Sequence, residues 1–92
     1  MQFEWDDEKE KINIRKHGID FTTAAHVFED KNRLELYDEA HSDIEDRYIT
    51  IGIINGTAYI VTVVYTERGD AIRLISARKA TERERRKYYD YS

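Results

Sequence analysis

Two runs of β-branched and aromatic residues, Tyr48-Ile49-Thr50-Ile51-Gly52-Ile53-Ile54 and Tyr59-Ile60-Val61-Thr62-Val63-Val64-Tyr65, stand either side of Asn55-Gly56. Few patterns constrain a short chain more. Strands favour such side chains, and Asn-Gly tolerates the left-handed backbone of a type I′ turn. The middle of the chain is therefore predicted to be an antiparallel hairpin on which the other elements must pack. Arg33-Leu34-Glu35-Leu36-Tyr37 alternates apolar and polar residues and adds a strand upstream, after which the polar run Asp38 to Asp46 reads as a loop. Downstream, Glu67-Arg68-Gly69-Asp70 supplies a turn and Ala71 to Ala77 a further strand. These four strands form an antiparallel meander.

Helical signals flank the meander. Phe3-Glu4-Trp5 reads as a short strand that passes into a helix at Asp6 or Asp7, with Glu10 completing a capping box to Asp7. Arg15-Lys16-His17 before Gly18 suits a helix C-terminus and its left-handed cap, so this helix ends near His17. Phe21, Ala24, Ala25 and Phe28 recur at helical spacing and predict a short second helix started by Asp20 or Thr22. Thr81-Glu82-Arg83-Glu84 is another capping box, opening a last helix that runs towards Tyr91. The order β-α-α-β-β-β-β-α predicts an α+β fold: an antiparallel sheet with helices packed on it.

Composition narrows the function. The 92 residues are 40% apolar, which suits one core and a single domain over residues 1–92. No apolar stretch approaches the ~20 residues of a membrane span, and the acidic N-terminus is unlike a signal peptide, so a soluble, cytoplasmic protein is expected. Without cysteine, disulfides, thiolate zinc sites and cysteine nucleophiles are excluded. There is no Gly-rich phosphate loop and no GxSxG elbow. The net charge of −4 hides a division: residues 1–46 carry six basic and fourteen acidic side chains, and residues 47–92 nine basic and five acidic. A basic half is compatible with a local polyanion site, or equally with a mixed solvated surface.

The sharpest local hint is Arg78-Lys79, two cations where the last strand hands over to the last helix, a natural anion pocket. Strand alternation places Arg73 on the face of Ile75 and Ala77, so its guanidinium enters a cleft or snorkels past the sheet edge. Arg47 heads the Ile49-Ile51-Ile53 face, as a further cation or simply as a solvated strand entrance. Glu84 lies on the inward side of the last helix with Ala80, Tyr88 and Tyr91. It is either a general acid or base, or a structural group held by the capping box or an arginine. His17, His26 and His41 fit no metal-ligand motif, and no metal or cofactor is expected. His17 satisfies the helix dipole or transfers a proton; Trp5 stacks on a base or belongs to the core.

Several segments together resemble a known family. Phe3-Glu4-Trp5-Asp6, Asn13 with Lys16-His17-Gly18-Ile19, Phe21, Ala24-Ala25 with Val27-Phe28, the Asp38 to Arg47 stretch with His41-Ser42 and Glu45, and Ile75-Ser76-Ala77-Arg78-Lys79-Ala80 with Glu84 and Tyr88 are similar to the BrnT toxins of type II toxin-antitoxin systems. The resemblance implies a RelE-like fold, metal-independent ribonuclease activity that arrests translation, and a DNA-binding antitoxin of the BrnA type that forms a hetero-oligomer with the toxin. It makes Arg78 the best candidate for the active centre, with Arg73, Arg47, Glu84 and His17 around it and Lys16, Lys79 and Arg86 as RNA-binding cations. In such chemistry a base helps the ribose 2′-OH attack phosphorus, cations stabilise the phosphate, and an acid protonates the leaving oxygen. The alternatives are a catalytically inactive toxin-like module acting as co-repressor, and an unrelated α+β interaction domain. Antitoxin contact is expected at the exposed sheet edge or on the acidic first half.

Overall fold

The computed structural model describes residues 1–91. In chain order the elements are β1 (Gln2–Glu4), α1 (Asp7–His17), α2 (Phe21–Ala25) continued by a 3-10 turn (His26–Glu29), β2 (Leu34–Tyr37), a second 3-10 turn (Glu39–His41), β3 (Tyr48–Ile53), β4 (Ile60–Arg68), β5 (Ala71–Lys79) and α3 (Glu82–Tyr91). The five strands form one sheet in the order β1-β5-β4-β3-β2.

The meander from β2 to β5 is antiparallel, as its alternation predicts, but the sheet is mixed. β1 lies parallel to β5, pairing Gln2 with Ala71, Phe3 with Ile72 and Glu4 with Arg73. The purely antiparallel expectation fails because a three-residue strand carries no directional signal of its own. The parallel orientation also delivers α1 alongside the C-terminal part of β5, where Asn13 bonds Ala77.

Helices cover both faces. On one, Phe21, Ala24, Val27 and Phe28 pack against Ile54, Val61, Val63, Tyr65, Leu74 and Ala77, with Phe3 and Trp5 at the margin. On the other, Tyr88 and Ala80 pack with Ile51 and Ile60, bordered by Leu34, Leu36, Ile49 and Ile53. Trp5 meets Phe21 edge-on at 5.9 Å, the core reading of that residue.

Local chemistry departs from simple patterns at three points. The β3–β4 hairpin forms, but Asn55 keeps a negative φ and only Gly56 is left-handed (φ 81°). That excludes a type I′ turn, which needs both central residues left-handed. The loop is longer because Ile54 N–H donates to the Tyr59 carbonyl, enclosing Asn55 to Ala58. In the first helix Asp6 is the N-cap, accepting from Glu8 and Lys9 N–H, while Glu10 reaches across to the Phe21 N–H at 2.8 Å instead of closing a box. Finally, β4 and β5 change register between Val64↔Ser76 and Tyr65↔Leu74, leaving Ile75 as a bulge. The extra residue reverses the parity of the strand. Leu74 and Ala77 therefore share one core, and Arg73 lies on the face of Ser76 and Arg78 rather than that of Ala77.

Candidate active site

Arg78 sits one residue before the end of β5, level with Thr62 of β4 and, through it, with Ile51 of β3. The chain turns at Ala80 and starts α3, whose capping box forms: Thr81 Oγ1 accepts the Glu84 N–H at 3.2 Å and Glu84 Oε1 accepts the Thr81 N–H at 2.8 Å. This box aims the Glu84 carboxylate back at the sheet. Arg78 Nη1 and Nη2 donate to Glu84 Oε1 and Oε2 at 2.7 and 2.9 Å, a bidentate pair, and the buried Thr62 hydroxyl donates to Oε1 at 3.0 Å. Burial opposes the charge on Glu84. The hydrogen bonds from Arg78 and Thr81, the guanidinium charge and Thr62 outweigh it and pull the carboxyl from 4.5 to about 2.

A carboxylate so occupied is a poor proton acceptor and a good holder of an arginine. Of five guanidinium N–H groups, Arg78 uses two on Glu84 and a third on the Lys79 carbonyl at 3.4 Å. Two remain, on a side chain that is 38% exposed, enough to meet an outside anion. Beside the pair, between α3 and the sheet, runs a groove of about 340 Å³ with an apolar floor of Leu36, Ile49 and Ile51 and Arg83, Arg86 and Lys87 along its helical side.

Lys79 points to the opposite face of β5, beside a second and larger cleft of about 460 Å³ that it shares with His17. Lys16 is exposed next to His17 on a shallower surface with Lys9 and Ser76. Arg78, Glu84, Arg86, His17, Lys16 and Lys79 thus all lie near one end of the sheet, divided between its two faces.

Arg73 and Arg47 are elsewhere. Arg73 is level with Thr66, four residues along β4 from Thr62 and so roughly 13 Å away from the Arg78 level. It donates to Glu4 Oε2 at 2.7 Å. Arg47 precedes β3 at that same far end and lines a hollow with His41, Asp43 and Glu45. The structure does not gather all the arginines into one pocket, because strand rise separates them. His26 and His41 each pair with one carboxylate, Glu29 and Asp38. No group of three or more metal-ligating side chains occurs among the described residues.

Several residues that hold the site escape a reading of the sequence. Thr62 looks like any strand threonine until its register puts it under Glu84. Asp30 Oδ2 accepts both the Ile53 N–H at 2.9 Å and the Tyr88 hydroxyl at 2.6 Å, tying α3 to the sheet. Burial raises the Tyr88 phenol, and with the bond to Asp30 it reaches about 12. Neither partner stands at a spacing that would flag it. Tyr59, at the end of the hairpin loop, reads as an ordinary strand aromatic, and its place shortly after Asn55-Gly56, beyond Thr57 and Ala58, is the one signal that sets it apart.

A family model described as ribonuclease toxin, BrnT, of type II toxin-antitoxin systems matches residues 5–84. No curated protein matches the chain.

Proposed function

The chain belongs to the BrnT family of ribonuclease toxins of type II toxin-antitoxin systems, and from that premise we propose that it is a metal-independent endoribonuclease that arrests translation, with Arg78 gripping the phosphate at the scissile bond. The observation that carries this reading is the bidentate Arg78–Glu84 pair beside a groove whose helical side carries Arg83, Arg86 and Lys87 against one further carboxylate, Asp90. A guanidinium held from behind loses little freedom on binding, and its two free N–H groups form a fork for phosphate oxygens as charge builds on them. Glu84 acts as the positioning residue. Arg86, with Arg83 and Lys87, holds flanking phosphates along the groove.

Proton transfer falls to His17, since imidazole is the side chain suited to giving and taking a proton near neutral pH. It lies at the same end of the sheet as Arg78, so RNA passing over the end of β5 meets the guanidinium on one face and the imidazole on the other. Arg73 and Arg47, at the far end, contribute to the general field rather than to the reacting phosphate. We read the mixed sheet with its closing helix as RelE-like, and the protein as a cytoplasmic toxin neutralised by a DNA-binding antitoxin of the BrnA type. The open edge of β2, which adjoins the acidic segment Asp38 to Asp46, suits a basic partner.

Inducing the chain in bacteria and sequencing RNA 5′ ends tests the reading. New cleavage ends and growth arrest are expected with the parent protein and are lost with Arg78→Ala, which still binds its antitoxin. Arg78→Lys also loses activity, since an ammonium cannot reproduce the fork. Purified protein cleaves RNA in EDTA. Normal growth with intact RNA would leave an inactive, co-repressing module as the better account, and full toxicity of soluble Arg78→Ala would remove Arg78 from the site.

A further inference from the structure

The cleft on the opposite face is built unlike the Arg78 groove. Its floor is apolar, from Ile19, Ile54 and Val61, and one wall is the ring of Tyr59, 55% exposed at the mouth. Lys79 Nζ stands 5.3 Å from that ring's centroid, close enough for a cation–π contact. The loop fixes the aromatic wall from its backbone. Thr57 Oγ1 donates to the Ile54 carbonyl at 2.7 Å and accepts the Tyr59 N–H at 3.1 Å, and the Tyr59 carbonyl takes the Ile54 N–H at 3.2 Å. His17 and Asp20 complete the rim.

An exposed ring held at the edge of an apolar-floored cleft, with an ammonium against it, offers the two contacts that a nucleotide of single-stranded RNA needs: a face on which to stack and a cation for the adjoining phosphate. About 460 Å³ lies within the range of cavities that hold a small ligand. Asp20, tied to the Thr23 N–H at 2.6 Å, keeps its charge, which leaves room for one phosphate near Lys79 and discourages a second. A base with amino donors on its edge would find an acceptor there.

We propose that the Tyr59–Lys79 cleft is an RNA subsite that takes one nucleotide flanking the cleaved bond, its base stacked on Tyr59 and its phosphate on Lys79, across the end of β5 from Arg78. The proposal rests on the ribonuclease reading for its ligand, but its geometry is separate from the Arg78 groove. It also accounts for the hairpin loop, whose four residues between Ile54 and Tyr59 present the ring.

The test is fluorescence anisotropy of the full chain with a labelled 2′-O-methyl RNA octamer of mixed sequence, which binds but cannot be cut, run beside a cleavage assay on unmodified RNA. Tyr59→Ala and Lys79→Ala each weaken octamer binding roughly 5- to 50-fold, the scale of one lost stacked base or its phosphate. Tyr59→Phe keeps the ring and binds within about 2-fold of the parent, and Arg68→Ala, a cation at the far end of β4, does the same. Parent-like binding by both alanine variants overturns the subsite, even if the parent cleaves RNA and Arg78→Ala does not. Failure of the parent to bind the octamer overturns it as well. Binding that depends on Tyr59 and Lys79 without any cleavage by the parent upholds the subsite while the ribonuclease reading falls.

Discussion

Glu84 is the residue on which local and tertiary demands converge. Its backbone and side chain close the capping box of α3, and the same carboxylate clamps Arg78 and receives Thr62. Its carboxyl is depressed from 4.5 to about 2 in the folded protein, so the ionised form is favoured by folding. The stabilisation is complete above the unfolded value and disappears as pH falls from about 4.5 to 2. After allowance for solvent around a partly exposed pair, it amounts to about 1–2 kcal/mol. In acid titrations followed by circular dichroism, Glu84→Gln should start less stable by about that amount at neutral pH and lose less than the parent through that window. Identical acid profiles would mean that the pair adds nothing to folding. Thr81 and Glu84 are legible as a box from their spacing. The arginine clamp is not, because which cation faces Glu84 depends on the strand register.

Asn13 shows the same division at the level of elements. β1 covers only the first part of β5, leaving the stretch beyond Arg73 as an edge. Asn13 of α1, 4% exposed, closes it: its amide donates to the Ala77 carbonyl at 2.8 Å and accepts the Ala77 N–H at 3.0 Å, and also donates to the Ile19 carbonyl at 2.9 Å. At Ala77 a side chain thus takes the backbone partners that a further strand would take, which blocks pairing by another chain at that point of the edge. Asn13→Ala should cost about 2–4 kcal/mol in urea unfolding, since two buried backbone groups lose partners, and should raise aggregation on heating. A change under ~0.5 kcal/mol would show that water replaces the amide at no cost. Caps in the sequence locate α1 but give Asn13 no special weight, since the neighbouring Ile12 and Ile14 are exposed and the polar residue is inside. The bulge at Ile75 is hidden for a similar reason. One unpaired residue leaves no mark in an alternating pattern, yet it decides which face Arg73 occupies.

For the whole molecule, charge placement matters more than the net value of −4. The cations Arg83, Arg86 and Lys87 line one groove, with Arg78 clamped to Glu84 of its wall, whereas Asp38, Asp43, Glu45 and Asp46 lie on the loop before β3. Contacts to three or four phosphates of a single strand release counterions with a slope of about −2 to −3 in log affinity against log salt. Octamer binding measured over a range of sodium chloride concentrations should show that slope, and a value near zero would argue against the groove as an RNA track.

The order of elements, the antiparallel meander, both helix caps at Gly18 and Thr81, and the pairing of an acidic with a basic half followed from the sequence alone. Each rests on interactions between residues a few positions apart, or on a sum over the chain. The parallel β1, the face of Arg73, the distance of Arg47 and the partners of Arg78 and Asp30 were decided by tertiary structure. They depend on strand register and direction, which are set by the packing of both cores together, and a shift of one residue moves a side chain to the other side of the sheet.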